Sequence, residues 1–307
     1  MTISVAMATF NGEKYIYKQL ESIVKQTILP DEIVVSDDGS IDNTLRIVTD
    51  FAKEHQNIKW TILETKENCG YIKNYFKAIQ ATSGELIFLS DQDDLWAENK
   101  IEIVSAFFSN TNVLSVHTNY SIIDANDVII RDRQIDYNSG LHYYNLKAFC
   151  KRLNYCGMSS AFRCTLKPVL LSIDTDHIPT HDWTIHALAV VRDGMYVCDE
   201  VTSMRRYTGS NVALQINTTT KREGIEQRTA VVNEYIRYYS LLKEFANENE
   251  SNDKCDYLDD LITVQKNRVE YLRNKSVLKW LTSCTNVKRY PSIKAYCCDL
   301  LYIMGIY

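Results

Sequence analysis

Acidic residues stand directly behind short apolar runs at two places in this 307-residue chain. Glu32-Ile33-Val34-Val35-Ser36 leads into Asp37-Asp38-Gly39-Ser40, and Leu86-Ile87-Phe88-Leu89 leads through Ser90 into Asp91-Gln92-Asp93-Asp94. A further polar segment, Thr9-Phe10-Asn11-Gly12, follows the apolar stretch from Ile3 to Ala8. Five carboxylates gathered at one edge repel one another unless cations or hydrogen-bond donors compensate. A turn with Asp and Gly needs no ligand, so Asp37-Asp38 alone says little. A D-x-D-D cluster is more telling, because solvated loops rarely abut so hydrophobic a run. Magnesium and manganese typically take one or two carboxylates together with substrate phosphates. The chemistry these residues fit is a metal–diphosphate site. No G-x-x-x-x-G-K-S/T sequence exists to cradle phosphates and no G-x-G-x-x-G follows the first apolar run, which tells against a P-loop NTPase and a dinucleotide-dependent oxidoreductase.

These segments need a scaffold that delivers them to one place. Apolar runs at 3–8, 32–36, 59–63 and 86–89 read as strands. Between them, Ile16/Leu20/Ile23/Val24, Leu45/Val48/Ala52 and Ile72/Tyr75/Phe76/Ile79 recur with helical spacing. Ser40 reads as the N-cap of the second helix. Strands separated by helices of this length imply a parallel sheet with right-handed crossovers, and ligands bind such sheets at the carboxyl ends of the strands. All three polar segments fall there. Residues 112–215 read as mixed strands, loops and short helices. From about Lys221 the pattern is helical, with stripes Val232/Tyr235/Ile236/Tyr239 and Leu258/Leu261/Ile262/Val269 and a loop over 247–253. In the last segment Pro291 suits a first helical turn, and Ile293, Tyr296, Cys297, Leu300, Leu301 and Met304 form an amphipathic stripe.

The formal net charge of −5 gives no reason to expect a nucleic-acid partner, but it conceals an asymmetry. From Gln265 onward eight basic residues face only Glu270 and Asp299, a net +6, which leaves −11 for residues 1–264. A basic amphipathic end fits either packing on the protein or a second subunit, leaving a homo-oligomer open, or insertion into an anionic lipid surface. No run of 18 apolar residues and no basic-then-apolar leader is present. Nine cysteines without a C-x-x-C pair read as free thiols in a reducing, cytoplasmic setting, mostly filling the core.

Taken together, Thr9-Phe10-Asn11, Asp37-Asp38-Gly39-Ser40-x-Asp42, Asn68-x-Gly70 and Asp91-x-Asp93-Asp94-x-Trp96 resemble, in order and spacing, family 2 glycosyltransferases. The run Phe88 to Trp96 is similar to the bacterial branch rich in rhamnosyltransferases of cell-surface polysaccharide assembly. The resemblance covers about residues 3–212. It implies an α/β GT-A fold, Rossmann-like, with a mostly parallel central sheet flanked by helices: a catalytic domain over 1–215 and a helical extension over 216–307. It also implies an inverting, metal-dependent enzyme that takes a nucleotide-sugar donor.

Carried over by position, Thr9, Asn11 and Asp38 contact the nucleotide, Asp38 accepting a ring N–H. Lys73 stands near the nucleotide where the family often has Arg. Asp91 contacts the ribose, Asp93 the Mn2+ or Mg2+, and Asp94 the sugar pocket. The family's general base falls on Asp182, in Pro179-Thr180-His181-Asp182-Trp183, with His181 a neighbour or orienter. Arg205-Arg206-Tyr207-Thr208 stands where relatives carry R-x-H, so a third protein ligand to the metal is missing, and Arg206 (or Arg205) is left to meet the diphosphate. Asn154 to Ser159 lines the sugar and acceptor pocket. The donor favoured is dTDP-rhamnose, with UDP-hexoses and UDP-N-acetylhexosamines fitting the same framework. The acceptor is a lipid-linked or polymeric glycan of bacterial O-antigen or capsule synthesis, met at the cytosolic membrane face. Two other classes compete: a nucleotidyltransferase, which lacks its basic triphosphate loop here, and a non-catalytic nucleotide-sugar-binding scaffold.

Overall fold

A computed structural model describes residues 1–133, 135, 137–152, 155–207 and 224–306. The chain divides into two compact units, one of residues 1–144, 154–189 and 193–211, the other of residues 145–153, 190–192 and 212–307. The second therefore includes two short pieces that a single cut near residue 215 assigns to the first.

In the first unit, strands β1 (Ile3–Thr9), β2 (Glu32–Asp37), β3 (Lys59–Glu64) and β4 (Leu86–Asp91) are interleaved with helices α1 (Ile16–Val24), α2 (Thr44–Glu54) and α3 (Tyr71–Ala81). Then come β5 (Leu95–Trp96), α4 (Lys100–Phe107), β6 (Ser115–Ile123), β7 (Ile129–Arg131), β8 (Leu141–Tyr143), β9 (Ser160–Arg163), α6 (Lys167–Ser172), α7 (His181–Val190) and β10 (Met195–Arg206); the short α5 (Leu146–Phe149), between β8 and β9 in the chain, belongs to the second unit. They build one sheet in the order β3-β2-β1-β4-β9-β6-β10-β5, with β7 on β6 and β8 on β10. The first four strands are mutually parallel, as the interleaved helices require; β9 then enters antiparallel between β4 and β6.

Register is what positions the site. Thr9 pairs with Asp37 across β1 and β2, and Ala8 pairs with Asp91 across β1 and β4, so all three polar segments leave the sheet from one edge. Under the sheet Val5, Met7, Ile33, Val35 and Phe88 pack with Ile16, Leu20 and Ile23 of α1 and Val48 and Phe51 of α2. At the opposite end of the strands, buried Glu32 binds the hydroxyl of Ser4, the hydroxyl and N–H of Ser83, and the ammonium of Lys59.

Several local expectations are corrected. Ser40 does not cap α2, which starts at Thr44 with Asn43 at the N-cap position and no side-chain cap there; Asp42 accepts the Thr44 N–H at 3.0 Å, and the Ser40 hydroxyl is held by Asp37. The thiols are free, but only Cys150, Cys198 and Cys255 are buried.

The second unit is dominated by α8 (Ile225–Glu248), α9 (Asn252–Arg273), α10 (Val277–Thr282) and α11 (Ile293–Ile303). The loop between the two long helices is only residues 249–251, because the polar residues on either side continue the helices. Pro291 lies before the first turn of α11 and not in it; Ser292 caps the helix through its hydroxyl, which accepts the Ala295 N–H. The buried face of α11 is Tyr296, Asp299 and Ile303, displaced from the apolar stripe. The cause is Asp299, whose carboxylate binds Arg268 through Nε at 2.5 Å and Nη2 at 2.9 Å, Arg228 at 2.8 Å and the Tyr271 hydroxyl at 2.6 Å. A buried carboxylate needs such partners, and they rotate the helix toward themselves.

Burial alone would raise the Glu32 pKa, but the bonds from Ser4, Ser83 and Lys59 outweigh it and bring it from 4.5 down to about 2. Its stabilisation is therefore full above about pH 4.5, where both states are ionised, and is lost as pH falls toward 2, where the folded carboxylate must also protonate. Urea titrations of Glu32→Gln should show lower stability at neutral pH and a flatter decline between those two pH values. A decline matching the wild type would refute this role.

Candidate active site

Each strand-end loop is tied to its neighbours. The Thr9 hydroxyl donates to Asp37 at 2.8 Å, and the Thr9 carbonyl accepts the Asn74 side-chain N–H at 3.2 Å. Asn11 sits in the left-handed region at φ 48°, tolerable for a short polar side chain. Its N–H donates to the Ser40 hydroxyl and its side-chain carbonyl accepts from Ile41, which locks the β1 loop to the β2 loop. Gln92 does the same from β4. Its amide accepts from the Phe10 N–H and donates to the Phe10 carbonyl, both at 2.9 Å. A Cβ on Gly12 would lie 2.2 Å from the Gln92 side-chain oxygen, so this tie requires glycine there.

Asp38 is buried, and its carboxylate accepts the N–H groups of Cys69 and Gly70 at 2.9 Å each and the Cys69 thiol. Burial opposes ionisation, but these donors hold its pKa below the ordinary value. Gly70 reaches this position with φ 87°, which favours glycine.

Beyond β4 the three carboxylates part ways. Asp91 accepts a hydrogen bond from the Tyr75 hydroxyl, which also reaches the Ser90 carbonyl at 2.8 Å. Asp93 is pushed up to about 6, first by burial and then by the charge of Asp91, against the pull of Arg205 and Arg206. Asp94 is fully enclosed, and burial with the charges of Asp93 and Asp91 raises it well above the carboxylate range. Its side chain accepts the Arg206 N–H at 2.8 Å. Arg206 is itself 0% exposed: its guanidinium donates to the carbonyls of Asp93 and Asp124, pairs with Asp127 and lies over the Tyr15 ring. The diphosphate partner anticipated at Arg206 is thus a side chain committed to the protein. Neighbouring Arg205 is less enclosed, with one nitrogen 3.3 Å from the Cys156 sulfur.

Asp182 lies in the first turn of α7, buried, accepting from the Thr180 hydroxyl and from the Trp183 N–H at 2.7 Å. His181 stacks on Tyr75 with ring centroids 3.8 Å apart, so the start of α7 rests on the residue that binds Asp91. Burial lowers the His181 pKa, keeping the imidazole neutral, and neither ring nitrogen has a partner among the described residues. Lys73 is not drawn in; it is half exposed and pairs with Asp176 at 2.9 Å. Thr208 and Asn154 lie outside the described residues.

Gln92, Tyr75 and Lys100 were missed from sequence. The Lys100 ammonium is buried against the Met158 carbonyl, the Ser203 hydroxyl at 2.8 Å and the Trp96 ring, and burial lowers its pKa to about 7 despite Asp94 and Asp91. Its spacing after D-x-D-D, four residues beyond Trp96, carried no signal of burial.

Among the described residues no three His, Cys, Asp or Glu side chains are arranged to hold a metal by themselves. A divalent cation would share its ligands with a diphosphate, which the donor set fits: hard carboxylate oxygens, with Asp93 half-buried beside Asp91.

A sheet of this topology, with acidic strand ends and no glycine phosphate cradle, is that of a GT-A nucleotide-sugar glycosyltransferase. The chain belongs to glycosyl transferase family 2, whose profile matches residues 4–166. It is 38% identical over 114 residues to the dTDP-rhamnosyl transferase RfbG of Shigella flexneri, covering 36% of this chain and 39% of that one. It is 31% identical over 139 residues to the Escherichia coli UDP-Glc:alpha-D-GlcNAc-diphosphoundecaprenol beta-1,3-glucosyltransferase WfgD, covering 44% and 53%. The matches thus span about half or less of these curated relatives. Among solved structures, TarS 1-349 of S. aureus in complex with UDP-GlcNAc superposes with a TM-score of 0.62 at 18% identity, covering 100% of this chain and 93% of that one. The mannosyltransferase PcManGT of Pyrobaculum calidifontis, in complex with GDP-Man and Mn2+, gives 0.51 at 17%, covering 99% and 84%.

Replacing Arg206 by Ala separates support from ligand binding. As a buried strut its loss should cost about 3 kcal/mol in urea unfolding, because two carbonyls lose their donor and Asp127 is left with Lys18 alone. Unchanged stability with weakened nucleotide binding would return Arg206 to the donor site.

Proposed function

We propose that this protein is an inverting glycosyltransferase that moves a sugar from a nucleoside diphosphate to a hydroxyl of a lipid-linked or polymeric glycan in bacterial surface polysaccharide synthesis, with dTDP-rhamnose the favoured donor. The observation that carries this reading is the contact chain from Asp91 through Tyr75 and His181 to the turn bearing Asp182. It sets a candidate base beside the strand end that takes the donor. The identity to RfbG supports rhamnose; that to WfgD keeps a UDP-hexose donor as the second reading and supports a lipid diphosphate acceptor.

In this mechanism Asp38 and Thr9 hold the base of the nucleotide, Asn11 shapes the loop beneath it, and Asp91 takes the ribose. Arg205, rather than Arg206, faces the diphosphate, and Asp94 shapes the sugar pocket from beneath. The Asp182 carboxylate removes the acceptor proton as the acceptor oxygen bonds to the anomeric carbon. The carbon–oxygen bond to the diphosphate breaks, and the diphosphate departs with the electron pair. Mn2+ or Mg2+, held by Asp93, supplies charge neutralisation at the diphosphate when bound. The neutral His181 ring, stacked on Tyr75 at the first residue of α7, fixes the turn that carries Asp182. No helix among the described residues is long and apolar enough to cross a membrane, and we place the enzyme peripherally on the cytosolic face.

Asp182→Asn should lower transfer by about 10²–10⁴-fold while leaving donor-nucleotide affinity within about twofold. Undiminished turnover would remove Asp182 as the base. A thermal-shift panel should give dTDP-rhamnose the largest stabilisation with manganese, since only ligand bound to the folded state raises apparent stability. A larger shift with a UDP-hexose would select the second reading, and no shift with any nucleotide sugar would defeat both.

A further inference from the structure

From Arg273 to Ile306 the second unit carries six cationic side chains, Arg273, Lys275, Lys279, Lys288, Arg289 and Lys294, and a single carboxylate, Asp299. That carboxylate is wholly buried between Arg268 and Arg228, so it contributes nothing to the surface. Lys279 pairs with Glu270 and Arg289 with Asp260. No ion pair engages Arg273, Lys275, Lys288 or Lys294 among the described residues.

The same stretch turns large apolar side chains to solvent. On α10 these are Val277, Leu278 (73% exposed) and Leu281; on α11 they are Ile293 (70% exposed), Leu301 and Met304, with Ile306 just beyond. Scattered exposed hydrophobics are ordinary, but a cluster of them within one cationic segment marks an interaction surface. They are not what holds the two helices. Trp280 stacks on Tyr296 at 4.8 Å, its indole N–H donates to the Tyr296 carbonyl, and the Tyr296 hydroxyl donates to the Trp280 carbonyl. At 3.6 residues per turn, Ile293, Cys297, Leu301 and Met304 form a stripe roughly a third of a turn from the buried Tyr296, Asp299 and Ile303. The amphipathic face read from sequence is therefore split: one edge packs, and the other is presented outward. On α10, whose Trp280 packs on Tyr296 of α11, Val277, Leu278 and Leu281 are exposed as well, which the sequence pattern did not reveal.

We propose that α10 and α11 form a docking surface for an anionic lipid bilayer, with their exposed apolar residues in the interfacial region and the unpaired cations on the headgroups. The occupant follows from charge. Two copies of this surface would bring their cations together without an intervening carboxylate, whereas an anionic headgroup layer complements them. Neither helix is long enough to span a bilayer, so the seat is interfacial. This surface deepens the proposed function, whose acceptor is lipid-linked, but its existence rests on the second unit alone and not on the donor chemistry.

The test is sedimentation of the full chain with vesicles of phosphatidylcholine, with or without phosphatidylglycerol, and no nucleotide present. Binding should be at least about tenfold stronger to the anionic vesicles and should fall several-fold when salt shortens the screening length from about 10 Å to about 3 Å. Leu278→Gln combined with Ile293→Gln, and separately Lys288→Glu combined with Lys294→Glu, should each reduce binding by about tenfold or more with an unchanged melting temperature, because all four side chains are exposed. Equal binding to neutral vesicles, or wild-type binding by either double variant, would overturn the proposal. So would absence of vesicle binding in a protein that light scattering shows to be a dimer and that the apolar variant renders monomeric. Nucleotide binding measured by calorimetry on the same preparations keeps the two readings apart: its loss with vesicle binding intact refutes the glycosyltransferase reading only, and the converse refutes only this one.

Discussion

Three carboxylates within four residues, two of them largely out of water, are the constraint around which the first unit is organised. In a low-dielectric setting like charges at this spacing cannot all be ionised without compensation. The fold treats each differently. Asp91 takes the Tyr75 hydroxyl and Asp94 takes the Arg206 N–H, while burial and the charge of Asp91 push Asp93 up to about 6 against the pull of Arg205 and Arg206. Arg206 binds the Asp93 carbonyl as well, so one buried side chain fixes the backbone of the whole turn. A bound divalent cation would favour the ionised form of Asp93, which burial and the charge of Asp91 oppose.

The supporting elements follow from that need. Parallel register brings Thr9, Asp37 and Asp91 to one edge, and Asn11 and Gln92 stitch the loops that leave it. Lys100 bolts α4 to the Met158 carbonyl and to β10, with its ammonium stabilised by the Trp96 ring and the nearby carboxylates. Glu32 gathers β1, β3 and the turn before β4 at the far end. Rigid strands with bonded loops are the kind of support that holds reacting groups in place.

The parallel half of the sheet and its acidic edge were legible from residue order. Four apolar runs separated by helical spacing admit few arrangements, and carboxylates that abut buried strands stand out from ordinary turns. What stayed hidden depends on partners far apart in the chain. Arg206 reads as a cation for a ligand until β10 is seen to bury it; Gln92 reads as the variable residue of a motif until its amide is seen bridging to Phe10. Ser40 reads as a cap until the geometry of the β2 turn is seen to commit its hydroxyl to Asp37 and to start the helix four residues later. In α11 the stripe left packing and an outward face both open; the helix buries Tyr296 beside Asp299, which two arginines hold, and leaves Ile293 and Leu301 exposed.

The central claim is that Asp93 is the carboxylate through which a divalent cation joins the nucleotide to this site. Calorimetry of dTDP and UDP binding, with and without Mn2+, on wild type and Asp93→Asn tests it most directly. The account predicts a metal-dependent gain in affinity in the wild type that weakens as pH falls through about 6 and that is absent in the variant. The same gain in Asp93→Asn, or one indifferent to pH across that range, would contradict it.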